Sequence, residues 1–266
     1  MIIKKIFRGL RGGLVFETTF PFRQEEEDFW SFVDRSFLFS AIGLVVGSLL
    51  GGLGVLLSRI PSFIGASLFM VGLYLICGIL HTDGLADFAD GLVTGGTHSE
   101  RKAVMKDEKT GAAGLITILV TNLLLFSGLV ELFSEGRVIF VLLTIISAEV
   151  LSKGAMLSLL FFGKSAHEGM GSTFIEKTGP VDWIIGMAIS SGVLVFFRSP
   201  LVLIPVGVTA VAGFVFLILG NRVIGGINGD IVGAVGEVVR PLALVAFVML
   251  SRIDMPAFVQ ALRGIF

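Results

Sequence analysis

Residues 61–80 read PSFIGASLFMVGLYLICGIL, twenty residues in a row without a charged side chain. About twenty apolar residues are the length that an α-helix needs to cross the hydrocarbon core of a bilayer. Similar runs recur along the chain and predict about seven membrane-spanning helices, at 38–57, 61–80, 112–130, 138–162, 181–197, 200–220 and 231–251. The predicted fold class is therefore all-α, a polytopic integral membrane helical bundle.

The composition agrees with this prediction and excludes several other classes. Of the 266 residues, 54% are hydrophobic and only 15% are charged, the net charge is −1, and the mean hydropathy is +0.94. These values exclude a soluble globular enzyme, a disordered chain, a coiled coil and a basic nucleic-acid-binding protein. The single cysteine, Cys77, excludes a disulfide framework and a cysteine-based zinc site. Neither an internal repeat nor a linker is present, so we expect one domain over residues 1–266.

The N-terminal segment and the distribution of basic residues predict an orientation. Lys4, Lys5, Arg8 and Arg11 alternate at helical spacing with apolar residues, namely Ile2, Ile3, Ile6, Phe7, Leu10 and Leu14. This pattern is typical of an amphipathic helix that lies in the membrane interface, and a frayed basic tail is the alternative. Most Lys and Arg residues outside the spans fall on the side of the N-terminus. By the positive-inside rule, the N-terminus and the long polar connections are expected in the cytoplasm.

An acidic cluster follows the second predicted span. In HTDGLADFADG, residues 81–91, Asp83, Asp87 and Asp90 stand at positions i, i+4 and i+7, on one helix face. Three stacked carboxylates repel one another unless a cation lies between them, and oxygen ligands of this kind suit Mg²⁺. The alternative is a solvated helix start with Asp83 as its N-cap. His81 either precedes the helix or points away from these carboxylates.

Two further polar connections contain candidate binding residues. After the acidic cluster, Lys102, Lys106 and Lys109 have helical spacing beside Arg101, and such a basic stripe would neutralise phosphate oxygens. Ordinary positive-inside anchoring is the alternative for Lys102 and Lys109. Near the last span, the turn with Gly225, Gly226 and Gly229 predicts a flexible, phosphate-permissive segment before a helix N-terminus.

Charged residues also fall inside the predicted spans. Asp230 and Glu237 share a helix face, and an acid as deep as Glu237 requires a ligand, a cation or a partner such as Arg240. Glu149 and Lys153, four residues apart in the fourth predicted span, are expected to pair with each other.

Together these residues resemble the cobalamin synthase family. The resemblance rests on His81-x-Asp83-Gly84-Leu85-Ala86-Asp87-x-x-Asp90-Gly91, on Glu100-Arg101, Met105-Lys106-Asp107, Gly111 and Gly114, and on Gly225-Gly226-x-x-Gly229-Asp230-x-x-Gly233-Ala234-x-x-Glu237. Two weaker segments, Leu14–Pro21 and Glu168–Gly171, are also similar. The chain differs from the family pattern at Thr19, Lys153, Asn228 and Arg240.

The resemblance implies that adenosylcobinamide-GDP and α-ribazole, or its 5′-phosphate, react to give adenosylcobalamin, or its phosphate, and GMP. It implies Mg²⁺ held by Asp83, Asp87 and Asp90, and one of these carboxylates or His81 as the proton acceptor. Substrate-binding roles are implied for Arg101, Lys106, Asp107, Asn228, Asp230 and Glu237. The expected partners are the two substrates and the lipid bilayer, without nucleic acid. A homo-oligomer and an association with other corrinoid-pathway enzymes are left open.

Two other functions fit parts of the pattern less well. A CDP-alcohol phosphotransferase also places Mg²⁺ on aspartates near the membrane surface, but its motif requires an arginine where Asp87 stands. A cation transporter would use Glu149, Glu237 and the aspartates as a relay, with access from both faces of the membrane.

Overall fold

The computed structural model describes residues 2–23 and 25–253, and within these ranges the chain is helical and contains no β-strand. The twelve α-helices among the described residues are α1 (Ile2–Glu17), α2 (Glu26–Val33), α3 (Leu38–Leu57), α4 (Ser62–Cys77), α5 (Leu80–Val93), α6 (His98–Met105), α7 (Ala112–Ser134), α8 (Val138–Phe162), α9 (Met170–Lys177), α10 (Pro180–Leu194), α11 (Leu203–Ile224) and α12 (Gly229–Ile253). Short 3₁₀ turns join α10 to α11.

Six helical segments of the described chain are long and apolar enough to cross a membrane: Leu38–Leu57, Ala112–Ser134, Val138–Phe162, Pro180–Phe197, Pro200–Ile224 and Gly229–Arg252. A seventh candidate is the pair α4 and α5, which is bent by 95° at a short break. The predicted all-α membrane bundle is confirmed, and six of the seven predicted spans agree with single helical segments to within a few residues. The alternation of spans also puts Arg263, which follows the last predicted span, on the outer side; this residue lies outside the described residues.

The second predicted span, 61–80, is wrong as one straight helix. Helix α4 ends at Cys77, and Gly78 has φ = +69°, a backbone conformation that favours glycine. The sixteen residues of α4 are about 24 Å long, less than the thickness of about 30 Å that a span must cover. The chain turns sharply here, and α5 begins at Leu80 in a new direction.

Helices α8 and α12 form the centre of the bundle. In their most apolar stretches, 78% of the α8 residues and 72% of the α12 residues are buried. Helix α3 packs closely against α8 because Gly43, Gly47 and Gly51 face it; a Cβ atom at Gly47 would lie 3.1 Å from the Cβ atom of Glu149.

The three long polar connections meet at one end of the bundle, as the sequence predicts. The Ile227 amide donates to the Lys164 carbonyl at 2.7 Å, and the Ala166 amide donates to the Ile227 carbonyl at 3.0 Å. Lys102 Nζ donates to the Ala166 carbonyl at 2.8 Å. The N-terminal segment joins the same end, since the Thr19 amide donates to the Ile76 carbonyl at 2.9 Å.

Helix α1 is present as predicted, and it packs on α2, which the sequence analysis missed. A Cβ atom at Gly9 would lie 2.9 Å from the Ser31 carbonyl oxygen, so glycine permits the close approach of the two helices. Ile2, Ile3 and Phe7 are 72%, 71% and 68% exposed, as expected for a helix whose apolar side faces lipid.

Candidate active site

Helix α5 carries the acidic cluster, and its three aspartates differ in environment. Asp83 is exposed, Asp87 is half-buried and Asp90 is buried. Neither Asp83 nor Asp87 makes a side-chain hydrogen bond or ion pair with another described residue. These two carboxylates are therefore available to bind a ligand.

The side chain of Asp90 binds the N-terminus of the neighbouring helix α7. Its two carboxylate oxygens accept hydrogen bonds from the amides of Gly111 at 2.7 Å and Gly114 at 2.9 Å. A helix N-terminus leaves such amides without partners, so Asp90 acts as a cap from outside the helix. The predicted role of Asp90 as a metal ligand and proton acceptor stays a prediction, and its contacts indicate a structural role.

His81 lies within α5, so the alternative that places it before the helix is wrong. Its ring packs toward α12, where a Cβ atom at Gly233 would lie 3.0 Å from His81 Cδ2. His81 Nε2 is 3.6 Å from Glu17 Oε1. His81 therefore lies on a different face of α5 from Asp83 and Asp87.

Helix α12 brings a further carboxylate to the cluster. Gly84 packs against the first turn of α12, and a Cβ atom there would lie 2.9 Å from Asp230 Cα. Asp87 is consequently within electrostatic reach of Asp83, Asp90 and Asp230.

Asn228 supports Asp230 at the start of α12. Its Nδ2 donates to Asp230 Oδ2 at 2.7 Å, and its Oδ1 accepts from the Ile231 amide at 3.1 Å. Asn228 thus orients Asp230 and caps α12. Its predicted contact with substrate stays a prediction.

The carboxylates fit a hard cation by their chemistry. Among the described residues, no three His, Cys, Asp or Glu side chains come together as a complete metal site. Mg²⁺, however, is commonly held by one or two carboxylates together with substrate phosphates and retained waters. Asp83, Asp87 and Asp230 are oxygen donors that repel one another, and this donor set suits Mg²⁺ completed by a diphosphate.

Basic residues border the cluster, although the predicted basic stripe is wrong. Helix α6 ends at Met105, so Lys106 is its C-cap and Lys109 lies in irregular chain. Arg101 packs beside α5, where its carbonyl oxygen would be 3.5 Å from a Cβ atom at Gly91, and its buried Nε has no hydrogen-bond partner in the described chain. Lys106 is exposed and within electrostatic reach of Asp230. Asp107 is exposed, and its Oδ1 accepts from the Lys109 amide at 3.2 Å.

The glycine turn before α12 is packed rather than flexible, which corrects the prediction. Gly225 has φ = +77°, and a Cβ atom at Gly226 would lie 2.5 Å from the Lys164 carbonyl oxygen. The amides of Gly225, Gly226 and Ile227 all donate to backbone carbonyls. The turn therefore connects the polar segments and offers none of these three amides to a phosphate.

Glu237 belongs to a buried ionic network rather than to the open cluster. Arg240 Nη1 donates to Glu237 Oε1 at 2.7 Å, and Thr82 Oγ1 donates to Glu237 Oε2 at 3.4 Å. Arg240 also pairs with Glu149. The predicted substrate contact of Glu237 stays a prediction, and of the three alternatives for this buried acid the structure shows the partner Arg240.

Lys153 pairs with Glu17 of α1, so the predicted pairing of Glu149 with Lys153 is wrong. Burial raises the pKa of Glu17, but Lys153 and His81 lower it by more, so the net pKa lies below its usual value. Glu17 could not be assigned to this network from the sequence. Charged residues inside the apolar runs indicate that buried ion pairs exist, but they do not show which residues form each pair.

Comparison with known proteins identifies the family. Residues 9–248 match the family described as cobalamin-5-phosphate synthase. The chain belongs to this family. Among its relatives, the adenosylcobinamide-GDP ribazoletransferase of Methanocella arvoryzae is 35% identical, and the match covers 90% of this chain and 94% of the relative. The proteins of the same name from Methanococcoides burtonii and Pyrococcus abyssi are each 32% identical, over 88% and 89% of this chain and 89% and 96% of theirs.

The predicted resemblance to the cobalamin synthases is thus confirmed over nearly the whole chain. No solved structure matches this member of the cobalamin-5-phosphate synthase family.

Proposed function

We propose that this member of the cobalamin synthase family is an adenosylcobinamide-GDP ribazoletransferase, which joins adenosylcobinamide-GDP to α-ribazole, or its 5′-phosphate, and releases GMP. The family match and the names of the relatives support this activity. The observation that carries the proposal is the convergence of Asp83, Asp87 and Asp230 from two helices, with Arg101 and Lys106 beside them.

The reaction is a phosphoryl-type transfer from a diphosphate to a sugar hydroxyl. The ribose hydroxyl oxygen of ribazole forms a bond to the phosphorus next to cobinamide, and the anhydride P–O bond breaks. GMP leaves with the electron pair of that bond, and the hydroxyl proton passes to a basic group of the protein. Such transfers depend mainly on positioning and charge neutralisation, so a few carboxylates and cations suffice.

The residues divide between these tasks. Asp83 and Asp87 would hold Mg²⁺, and Asp230 lies close to them. A bound Mg²⁺ ion would neutralise diphosphate oxygens and stabilise the leaving group. Arg101 and Lys106 bind the remaining phosphate charge, and the buried Arg101 Nε gains a partner in doing so. Asp87, Asp230 or His81 accepts the hydroxyl proton once the ribose is in place.

We also propose that the cluster faces the cytoplasm. The occurrence of relatives in archaea and bacteria supports a prokaryotic cell membrane as the location. The basic residues concentrate at the end of the bundle that carries the cluster, which supports a cytoplasmic position of this end. Single cysteines at Lys164 and Arg59, in a Cys77→Ser background, test this orientation. In inverted vesicles, we expect an impermeant thiol reagent to label Lys164→Cys and to leave Arg59→Cys unlabelled; the opposite pattern would contradict the proposal.

The activity is tested with purified protein in detergent. We expect GMP release from adenosylcobinamide-GDP only when α-ribazole and Mg²⁺ are present, and its loss when a chelator removes the metal. Asp87→Asn is expected to lower the rate by at least about 100-fold, because it removes charge where the diphosphate and the proton are handled.

Asp34→Asn is the matched control, because Asp34 is an exposed aspartate of the same end that makes only a loose contact with Lys177 at 3.6 Å. We expect near-normal activity for this variant. Normal activity of Asp87→Asn would refute the role of the acidic cluster.

A further inference from the structure

A partly open cavity of about 130 Å³ lies beside the acidic cluster and is lined by residues of α1, α3, α5, α8, α9 and α12. His81 and Asp230 contribute polar groups to its wall, so it adjoins the site of the proposed reaction. The rest of the wall is apolar, with Phe16, Phe39 and Phe174 as its aromatic members.

The aromatic wall is held in shape by its own packing. The rings of Phe39 and Phe174 are T-shaped with centroids 5.3 Å apart, and Phe16 lies 5.9 Å from Phe174. Met156 and Met170 complete this part of the wall. Methionine adapts to the outline of a ligand, and its sulfur contacts aromatic rings favourably, so this wall suits a flat aromatic group.

The apolar wall suits the base of ribazole better than the guanine base of the other substrate. Guanine has a carbonyl, a ring N–H and an amino group on its edge, and burial against phenylalanine and methionine would leave most of them without partners. The base of ribazole, a dimethylbenzimidazole, has a hydrocarbon edge with two methyl groups and polar atoms only in the ring. A cavity of about 130 Å³ is on the scale that accepts a single benzene-sized ring, such as the dimethyl-substituted ring of this base, and it is far too small for a corrin.

We propose that this cavity binds the benzimidazole base of ribazole and so directs the ribose toward Asp87 and Asp230. The inference rests on the proposed function and adds the subsite of the acceptor to it. His81, at the polar side of the cavity, is placed to meet a ring nitrogen or the ribose.

Residues of the two weaker segments of the family resemblance line this cavity. Phe16 belongs to the N-terminal segment, and Met170 and Gly171 belong to the segment at the start of α9; all three line the cavity. A Cβ atom at Gly171 would lie 2.6 Å from the Gly229 amide nitrogen, so glycine allows α9 to close over the start of α12. These segments, distant in sequence, have this cavity in common.

A pair of variants on one helix tests the proposal. Leu80 and Val93 are exposed residues of α5, at 55% and 70%, but only Leu80 lines the cavity. We expect Leu80→Trp to fill the cavity, raising KM for α-ribazole by about 10-fold or more and leaving KM for adenosylcobinamide-GDP unchanged. Val93→Trp should leave both values unchanged.

Direct binding provides a readout that needs no turnover. Calorimetry with 5,6-dimethylbenzimidazole should detect binding to the wild type and to Val93→Trp, and weaker binding to Leu80→Trp. Met170→Trp, which changes a 60% exposed residue that also lines the cavity, should have the same effect if Leu80→Trp does not fold.

The outcomes separate the two proposals. Wild-type protein that releases no GMP with ribazole would overturn the proposed function and the subsite with it. Active protein in which Leu80→Trp and Met170→Trp keep a normal KM for ribazole would overturn the subsite alone. Guanosine binding as tight as that of dimethylbenzimidazole, and equally weakened by Leu80→Trp, would also overturn it.

Discussion

At the scale of single residues, the acidic cluster divides into ligand-binding and structural members. Equal spacing along the helix predicts equal roles for Asp83, Asp87 and Asp90, because sequence spacing defines only the face of a helix. The partners of Asp90 are backbone amides 21 and 24 positions later in the chain, and the local sequence does not predict these contacts. The sequence therefore predicts the cluster but not the difference within it.

This difference leads to a prediction for Asp90. Asp90→Ala would leave the partly buried amide of Gly111 and the buried amide of Gly114 without acceptors, which should destabilise the protein by about 1–3 kcal/mol. Thermal unfolding in detergent should show a lower Tm for Asp90→Ala and a smaller decrease for Asp90→Asn, which keeps one acceptor oxygen. Asp87→Asn should leave Tm unchanged, because Asp87 has no such partner.

The activities of Asp90→Asn and Asp87→Asn, measured below their unfolding temperatures, separate a structural role from a role in the reaction. We expect Asp90→Asn to keep substantial GMP release where Asp87→Asn has little. If Asp90→Asn keeps its Tm and loses as much activity as Asp87→Asn, then Asp90 acts in the reaction and the capping role is secondary.

At the scale of the helices, the sequence predicts the spans well because the length of an apolar run is a local property. The break at Gly78 escapes prediction, since it lies inside such a run with neither a proline nor a charge beside it. Helices α2 and α9 were missed because both are only eight residues long and depend on tertiary packing.

The contact between α1 and α2 is expected to weaken in acid. Burial raises the pKa of Asp28, but hydrogen bonds from the Glu25 amide and from Arg11 lower it by more, so its net pKa lies below the usual value of about 3.9. A depressed pKa stabilises the folded state above pH 4, and this contribution is lost as the pH falls through the lower, folded value. The protection of the α1 amides against hydrogen exchange, measured relative to the intrinsic exchange rate at each pH, should therefore decrease below about pH 4.

Asp28→Asn tests this expectation, since it removes the titrating group. The variant should show reduced protection of the α1 amides at neutral pH and little further loss of protection in acid. Glu25→Gln is the control, because Glu25 is exposed and is 3.8–3.9 Å from Arg8 and Arg11. Pronounced acid sensitivity that persists in Asp28→Asn would assign the effect to another group.

At the scale of the whole molecule, the alternation of spans predicts that the polar connections share one end, and the structure confirms it. The pairing of buried charges could not be predicted in this way. Glu149 and Lys153 are four residues apart on α8, yet they pair with Arg240 of α12 and Glu17 of α1. Which partner a buried charge meets depends on the rotation and neighbours of its helix, which a single sequence does not specify.

The pairing of Lys153 with Glu17 connects α1 to the centre of the bundle and places a charge beside His81. Lys153→Met should leave Glu17 as an uncompensated buried carboxylate, which typically costs about 3–5 kcal/mol. Adding Glu17→Gln should restore most of the lost stability, because the double variant has no unpaired charge at this position. Adding Glu149→Gln instead should not, since it deprives Arg240 of a partner. Thermal unfolding of the single and double variants decides between the two pairings. If Glu149→Gln rather than Glu17→Gln restored the stability, the result would support the pairing of Lys153 with Glu149 that the spacing along α8 predicts.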